Sequence, residues 1–126
     1  MSTTTAVMTT TEIASRLVGL CKKGDFDTAQ KELFAQDAVS IEPHATPAFA
    51  KETKGLDAIL EKSEKWNAMV SEVHSIEISQ PLIGENSFAI TMSMDVSMKD
   101  GKKMNMKELC VYNVKDGKIA SEQFFM

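Results

Sequence analysis

The last third of the chain alternates between apolar and polar side chains in three runs, Phe88–Met98, Lys103–Val114 and Lys118–Met126. Asp100-Gly101 separates the first two runs and Asp116-Gly117 the last two. Such dipeptides supply the positive φ angles that tight hairpin turns need, so the pattern predicts a three-stranded meander. Upstream, a period near 3.6 residues appears three times. Ile13, Leu17, Leu20 and Cys21 form a stripe, with Ala14 and Val18 beside it, in a helix over about Thr10–Lys23. Thr9 and Glu12 have capping-box spacing, and Gly24 suits the stop. Asp25 caps a second helix that buries Phe26, Ala29, Leu33 and Phe34. A third helix, Leu56–Met69, places Leu56, Ile59, Leu60, Ser63, Trp66 and Asn67 on one face and pairs Glu61 with Lys65 on the other.

Between these helices, Asp37–Pro43 reads as a short strand, and His44–Lys54 as a loop that could border a cavity mouth. Val70–Ser79 alternates again, with Val70, Glu72, His74, Ile76 and Ile78 on one side, which puts His74 on the apolar side. Gln80–Asn86 is the turn into the meander. The order is helix, helix, short strand, helix, then four long antiparallel strands. It predicts an α+β fold: three N-terminal helices packed in a strongly curved, mostly antiparallel sheet that forms a cone with an internal pocket.

The candidate chemistry lies on the meander's apolar face. Glu108 is in phase with Met104, Met106, Cys110 and Tyr112, and Glu122 with Phe124 and Met126. A carboxylate there is costly unless it is paired, protonated or beside a cavity, so this face is expected to wall a pocket. Two neighbouring acids push one pKa up, which yields an acid and a base from one residue type. Glu42, at a strand end, is a candidate general base or else a solvated carboxylate. A bulge would turn Glu108 or Glu122 outward, where Lys102, Lys103 or Lys107 could pair with Glu108. His74 is a candidate proton shuttle or a hydrogen-bonded core residue, and His44 should border the mouth. Trp66, Met92, Met106 and Phe124 are expected to line the apolar wall. Trp66 and Tyr112 could stack on a flat ligand or serve as core.

The chain has 126 residues, 43% of them apolar and 25% charged, which fits one domain. We expect residues 11–126 to form it, with a Thr-rich flexible tail, residues 1–10, that lacks the pattern of a secretory leader. A net charge of −4 without a basic patch argues against nucleic acid as a partner. No apolar run reaches membrane-spanning length. Cys21 and Cys110 each sit in an apolar pattern, so free buried thiols and a reducing cytoplasm are expected. Glu42, His44, His74 and Glu108 have no metal-ligand spacing, and no cofactor is expected. Ala89, Thr91, Ser93 and Asp95, with Asn105, Lys107, Leu109 and Val111, form a mixed outer face suited to a homodimer.

Three pieces carry a family resemblance: Leu33-Phe34-Ala35-Gln36-Asp37-Ala38-Val39-Ser40-Ile41-Glu42-Pro43, Lys54-Gly55-Leu56-Asp57-Ala58-Ile59, and Val111-Tyr112-Asn113-Val114-Lys115-Asp116-Gly117-Lys118-Ile119 followed by Glu122 and Phe124-Phe125. In order and spacing they resemble the SnoaL-like branch of the nuclear-transport-factor-two-like superfamily. That superfamily includes ketosteroid isomerases, polyketide cyclases, scytalone dehydratase, limonene epoxide hydrolase and non-catalytic members, so fold alone does not assign function. The resemblance to the isomerases puts Glu42, before Pro43, at the general-base position. Their second acid falls near Cys110, with Glu108 one strand step earlier on the same face. Their first-helix tyrosine has no counterpart, since Tyr112 lies on the meander. The cyclases use an acid with a histidine, which His44 or His74 could supply. The resemblance implies a small hydrophobic or carbonyl-containing ligand, cofactor-free isomerisation, cyclisation or dehydration, and a dimer. The alternative is a dimeric ligand-binding or association module without catalysis.

Overall fold

The computed structural model describes residues 7–126. The first six residues of the expected tail lie outside the described residues. Thr9 closes the capping box on α1 (Thr10–Lys22): its hydroxyl accepts from Glu12 N–H at 3.1 Å, and Glu12 accepts from Thr9 N–H at 2.9 Å. Met8 packs against the core. Gly24 turns the chain into α2 (Phe26–Leu33), whose N-cap Asp25 accepts from Thr28 N–H.

The chain then passes from helix to strand without a loop. β1 (Phe34–Ile41) begins three residues before the expected Asp37, and Phe34 is its first residue, not the last buried position of the helix. Its side chain still reaches the core, because an extended residue next to a helix end can point the same way as the helix's buried face. α3 spans Leu56–Met69, and β3 follows directly over Val70–Ile78. The meander is β5 (Ser87–Met98), β6 (Lys103–Lys115) and β7 (Lys118–Phe125). Asp116 and Gly117 both have positive φ, 52° and 75°, as a type I′ turn requires.

Two short strands lie in segments expected to be irregular: β2 (Glu52–Lys54) and β4 (Leu82–Ile83). The sheet has seven strands in the order β2-β1-β7-β6-β5-β3, with β4 paired to β5. It is mixed, because β1 pairs with β7 in parallel, whereas the remaining pairs are antiparallel. The fold is α+β, with the helices against the inner face of the curved sheet.

The inner face carries two apolar clusters. The larger joins Ile13, Leu17 and Leu20 of α1 and Leu33 of α2 to Phe88, Ile90, Cys110, Tyr112 and Ile119 of the meander. The smaller is Met94, Val96 and Met98, with Trp66, Val70, Ile76 and Met106 packed on it. Met92 touches both clusters and marks the seam between them.

Candidate functional site

Glu108 sits at that seam. It is the register partner of Met92, and the meander stays in phase from Ser87↔Asn113 to Ser97↔Lys103. The irregularity between Asn113 and Val114 lies toward the turn from Glu108, so the carboxylate keeps the inward face with Cys110 and Tyr112. Tyr112 in turn pairs with Glu122, which is only 4% exposed.

Glu122 is held from β1. In the parallel β1–β7 pair Ser40 is its register partner, so both side chains enter the same face. Ser40, fully buried, donates its hydroxyl to Glu122 Oε2 at 2.7 Å. Lys62 Nζ donates to Ser40 Oγ at 2.7 Å and to Glu42 Oε2 at 2.8 Å. The Lys62 and Glu42 side chains are 15% and 25% exposed, so this ion pair is mostly shielded. The same ammonium lies 5.7 Å from the centroid of the Phe124 ring. Four polar or charged side chains thus form one chain, Glu42–Lys62–Ser40–Glu122, running from the mouth to the interior.

The electrostatics follow from this placement. Burial pushes the Glu122 carboxyl up to about 7; the Ser40 hydrogen bond and the Lys62 charge pull it down, and Glu42 and Glu108 push it up. Burial also raises Glu108, with the Glu42 charge adding and Lys62 opposing. Only burial and these charges act on Glu108; no hydrogen bond among the described residues holds its carboxylate. Burial first, then Glu122, pushes the Cys21 thiol up to about 12, and burial likewise raises Cys110. Both thiols stay protonated and are poor nucleophiles. Ser40 is equally unsuited to attack a substrate, since no part of it reaches solvent.

The other candidates separate. Met92, Met106, Trp66 and Phe124 are half-buried around the seam. Tyr112 is not available for stacking on a ligand: it is buried, and its ring stacks on Phe88 with centroids 4.9 Å apart. His44 is exposed in the loop after Pro43. His74 does not lie on the apolar side. The β3–β5 register shifts between Val70 and Glu72 and again between Val73 and Ser75, so that Val70 and Ile76 pack on the smaller cluster, Val73 is left 47% exposed and His74 turns out. There its Nε2 pairs with Ser97 Oγ at 2.7 Å and its Nδ1 lies 4.0 Å from Glu72 Oε2. Strand alternation predicts a face only while the ladder is unbroken. Among the described residues no group of three or more His, Cys, Asp or Glu side chains could hold a metal.

The sequence pattern missed two members of the chain, Ser40 and Lys62. Lys62 carries a readable signal, since it stands three residues after Ile59 and four before Trp66, inside the buried stripe of α3. Ser40 has none until β1 is paired with β7.

Outside the acid cluster, Lys62 also lines an open depression of about 220 Å³. Ala48, Phe49 and Ala50 of the preceding loop form its rim, with Thr53, Ala58, Glu61 and Lys65. Lys65 holds that loop by donating to the Ala48 carbonyl and lying over the Phe49 ring at 5.2 Å. A second depression, on the outer side of α1 between Thr11 and Lys23, is remote from the acids. Neither is an enclosed cavity behind Glu108.

A family model described as a SnoaL-like domain matches residues 8–126. Among solved structures, a candidate SnoaL-like polyketide cyclase from Mesorhizobium loti is 33% identical, with a TM-score of 0.87 over 94% of this chain and 100% of its own. A cystatin-like-fold protein from Xanthomonas campestris is 18% identical, with a TM-score of 0.79 over 94% of this chain and 90% of that one. A protein of ketosteroid isomerase-like fold from Catenulispora acidiphila, in complex with trimethylamine, is 18% identical, with a TM-score of 0.71 over 94% and 87%. These last two share the fold. No protein among the curated ones matches the chain. A model matched from residue 8 to residue 126, around the helices and sheet described above, places the chain in the SnoaL-like domain family.

Proposed function

We propose that this protein performs cofactor-free acid–base chemistry on a small, largely apolar carbonyl compound bound at the seam. The observation that carries the reading is the inward Glu108 carboxylate, raised by burial, with no hydrogen-bond partner among the described residues and within reach of the Lys62 charge. A carboxylate made more basic by burial and a nearby cation for the developing enolate oxygen are what proton abstraction beside a carbonyl needs. In this reading Glu108 takes the proton and Lys62 stabilises the oxyanion. Glu42, the expected base, holds Lys62 at the mouth instead, because its carboxylate is committed to the ion pair. Half-buried Met92 and Met106 give the apolar wall an adaptable surface.

The test is exchange of α-protons in D2O, read by NMR, over a panel of hydrophobic 1,3-diketones and β,γ-unsaturated ketones. Exchange should exceed the buffer rate and fall by about 100-fold or more in Glu108→Gln. Rates equal to buffer across the panel, or unchanged in that variant, would defeat the reading.

A second reading, a dimeric ligand-binding or association module, is supported by the outer sheet face. Leu109 and Phe125 are register partners there and are 41% and 44% exposed. Leu109→Lys should convert a dimer to a monomer in sedimentation equilibrium. A wild-type monomer would remove this reading.

A further inference from the structure

We propose that Ser40 relays protons between Glu122 and Lys62, so that within a turnover the ammonium at the mouth is recharged by a proton stored in the interior of the fold. The proposal deepens the acid–base reading and rests on it for its purpose, but its geometry stands apart. Nζ, Oγ and Oε2 are linked by two hydrogen bonds of 2.7 Å each. Ser40 is fully buried and Glu122 nearly so, which leaves water little access to either group. A hydroxyl placed between an acid and a base can accept from one while it donates to the other, which is the requirement of a proton relay.

The other groups facing Glu122 do not offer a route. Cys110 and Tyr112 from β6 and Cys21 from α1 all hold their protons more tightly than usual because they are buried. Glu108 and Glu42 act on Glu122 through charge. Ser40 alone, among the described residues, is hydrogen-bonded to its carboxylate.

The step balances. When Lys62 gives a proton to a substrate oxyanion, it is left as a neutral amine. Protonated Glu122 then passes its proton to Ser40 Oγ as the Ser40 hydroxyl proton moves to Lys62 Nζ. The products are a carboxylate, an intact hydroxyl and an ammonium. The hydrogen bonds then point from Lys62 to Ser40 and from Ser40 to Glu122, which is the arrangement in the structure. The direction is downhill, because an alkylamine is ordinarily a far stronger base than a carboxylate. Protonated product leaves the site, Glu108 releases its abstracted proton to solvent, and Glu122 is reloaded between turnovers as Lys62 passes a proton inward through Ser40 and takes one up from solvent through its exposed side.

The test uses the ligand-free protein, labelled with 13C and 15N. Glu122 Cδ and Lys62 Nζ are followed by NMR from pH 5 to pH 9. The expected result is a shared step, with Lys62 Nζ responding at the pH where Glu122 titrates. In Ser40→Ala the Lys62 response should fall at least two-fold while Glu122 still titrates high, and Ser40→Thr should restore it. Should Ser40→Ala not fold, Ser40→Cys, whose thiol is a weaker hydrogen-bonding group, should show the same fall in the Lys62 response, and a full response there likewise overturns the relay. A wild-type Lys62 signal that is flat across the Glu122 step overturns the relay, as does a full response in Ser40→Ala. These readouts need no substrate, so ketone exchange can fail while the coupled titration is seen, or the reverse, and the two failures point to different claims.

Discussion

The two clusters on the inner face share strands β5 and β6 and differ in what they tolerate. The larger is closed by α1, α2 and the first turn of α3, which contributes Leu56 and Ile59, and its meander positions Phe88, Ile90, Cys110, Tyr112 and Ile119 are all at most 4% exposed. The smaller is built on β5 from Met94, Val96 and Met98, and its lid is the side of α3 that carries Lys62 and Trp66. Following β6 inward side chains from Tyr112 through Cys110, Glu108 and Met106 to Met104 passes from buried to half-buried to exposed. The difference shows where this fold admits charge. Glu108 occupies the seam, where helix cover thins, whereas Glu122 is buried beside Tyr112 of the larger cluster and is met there by Ser40, to which Lys62 reaches in. The branched and aromatic side chains of the first cluster fix its shape; unbranched methionines let the second yield around a guest.

The contrast breaks most sharply by truncation. Ile119→Ala, at a site with no solvent contact, should cost about 4 kcal/mol in urea unfolding. Met106→Ala, half-buried at the seam, should cost about 1 kcal/mol. Equal losses would mean that the clusters are alike in packing.

Next in size is the pH dependence of Glu122. Its carboxyl ionises near 4.5 in the unfolded chain and at about 7 in the fold. Between those values the native state holds a proton that the unfolded state has released. The stabilisation is therefore full below pH 4.5 and is lost as pH rises through 7, by roughly 3 kcal/mol. Thermal denaturation from pH 5 to pH 8 should show this slope, and Glu122→Gln should flatten it. An unaltered slope in that variant would assign the effect elsewhere.

Lys62→Met comes third, at about 2 kcal/mol by chemical denaturation, because it leaves Glu42 shielded without its cation. It should also raise the titration of both Glu108 and Glu122, since Lys62 lowers each. Smallest is His74→Ala, on the outer face, expected within about 0.5 kcal/mol and without effect on ketone exchange. A large loss of exchange in that variant would put His74 back among the candidate acid–base groups.

What the sequence made legible was local. The capping box at Thr9 and Glu12, the full span of α3 and both Asp-Gly turns follow from patterns a few residues long. The phase of Glu108 and Glu122 followed too, because β5, β6 and β7 keep their register where those residues sit. Pairing between distant segments was not legible. β2 and β4 are three and two residues long and exist only because β1 and β5 present edges to them. Nothing near Ser40 announces that it faces Glu122, 82 residues away. His74 failed for a related reason: its face depends on two register shifts set by β5. Lys62 is legible in principle, because a cation between Ile59 and Trp66 in an apolar helical stripe needs a partner as much as a carboxylate on an apolar strand face does.

The parallel contact of β1 with β7 has one more implication. β1 is bonded to β2 on one side and to β7 on the other, so β7 alone ties Ser40 and Glu42 to the strand bearing Glu108. Were β7 to unzip briefly, the sheet would part in two, the acid cluster would be divided between the pieces, and β1 and β6 would each present a bare edge. Such edges recruit strands from other molecules, so weakening mutations in β7 should show first as aggregation and loss of the site together, while the helices remain folded against β5.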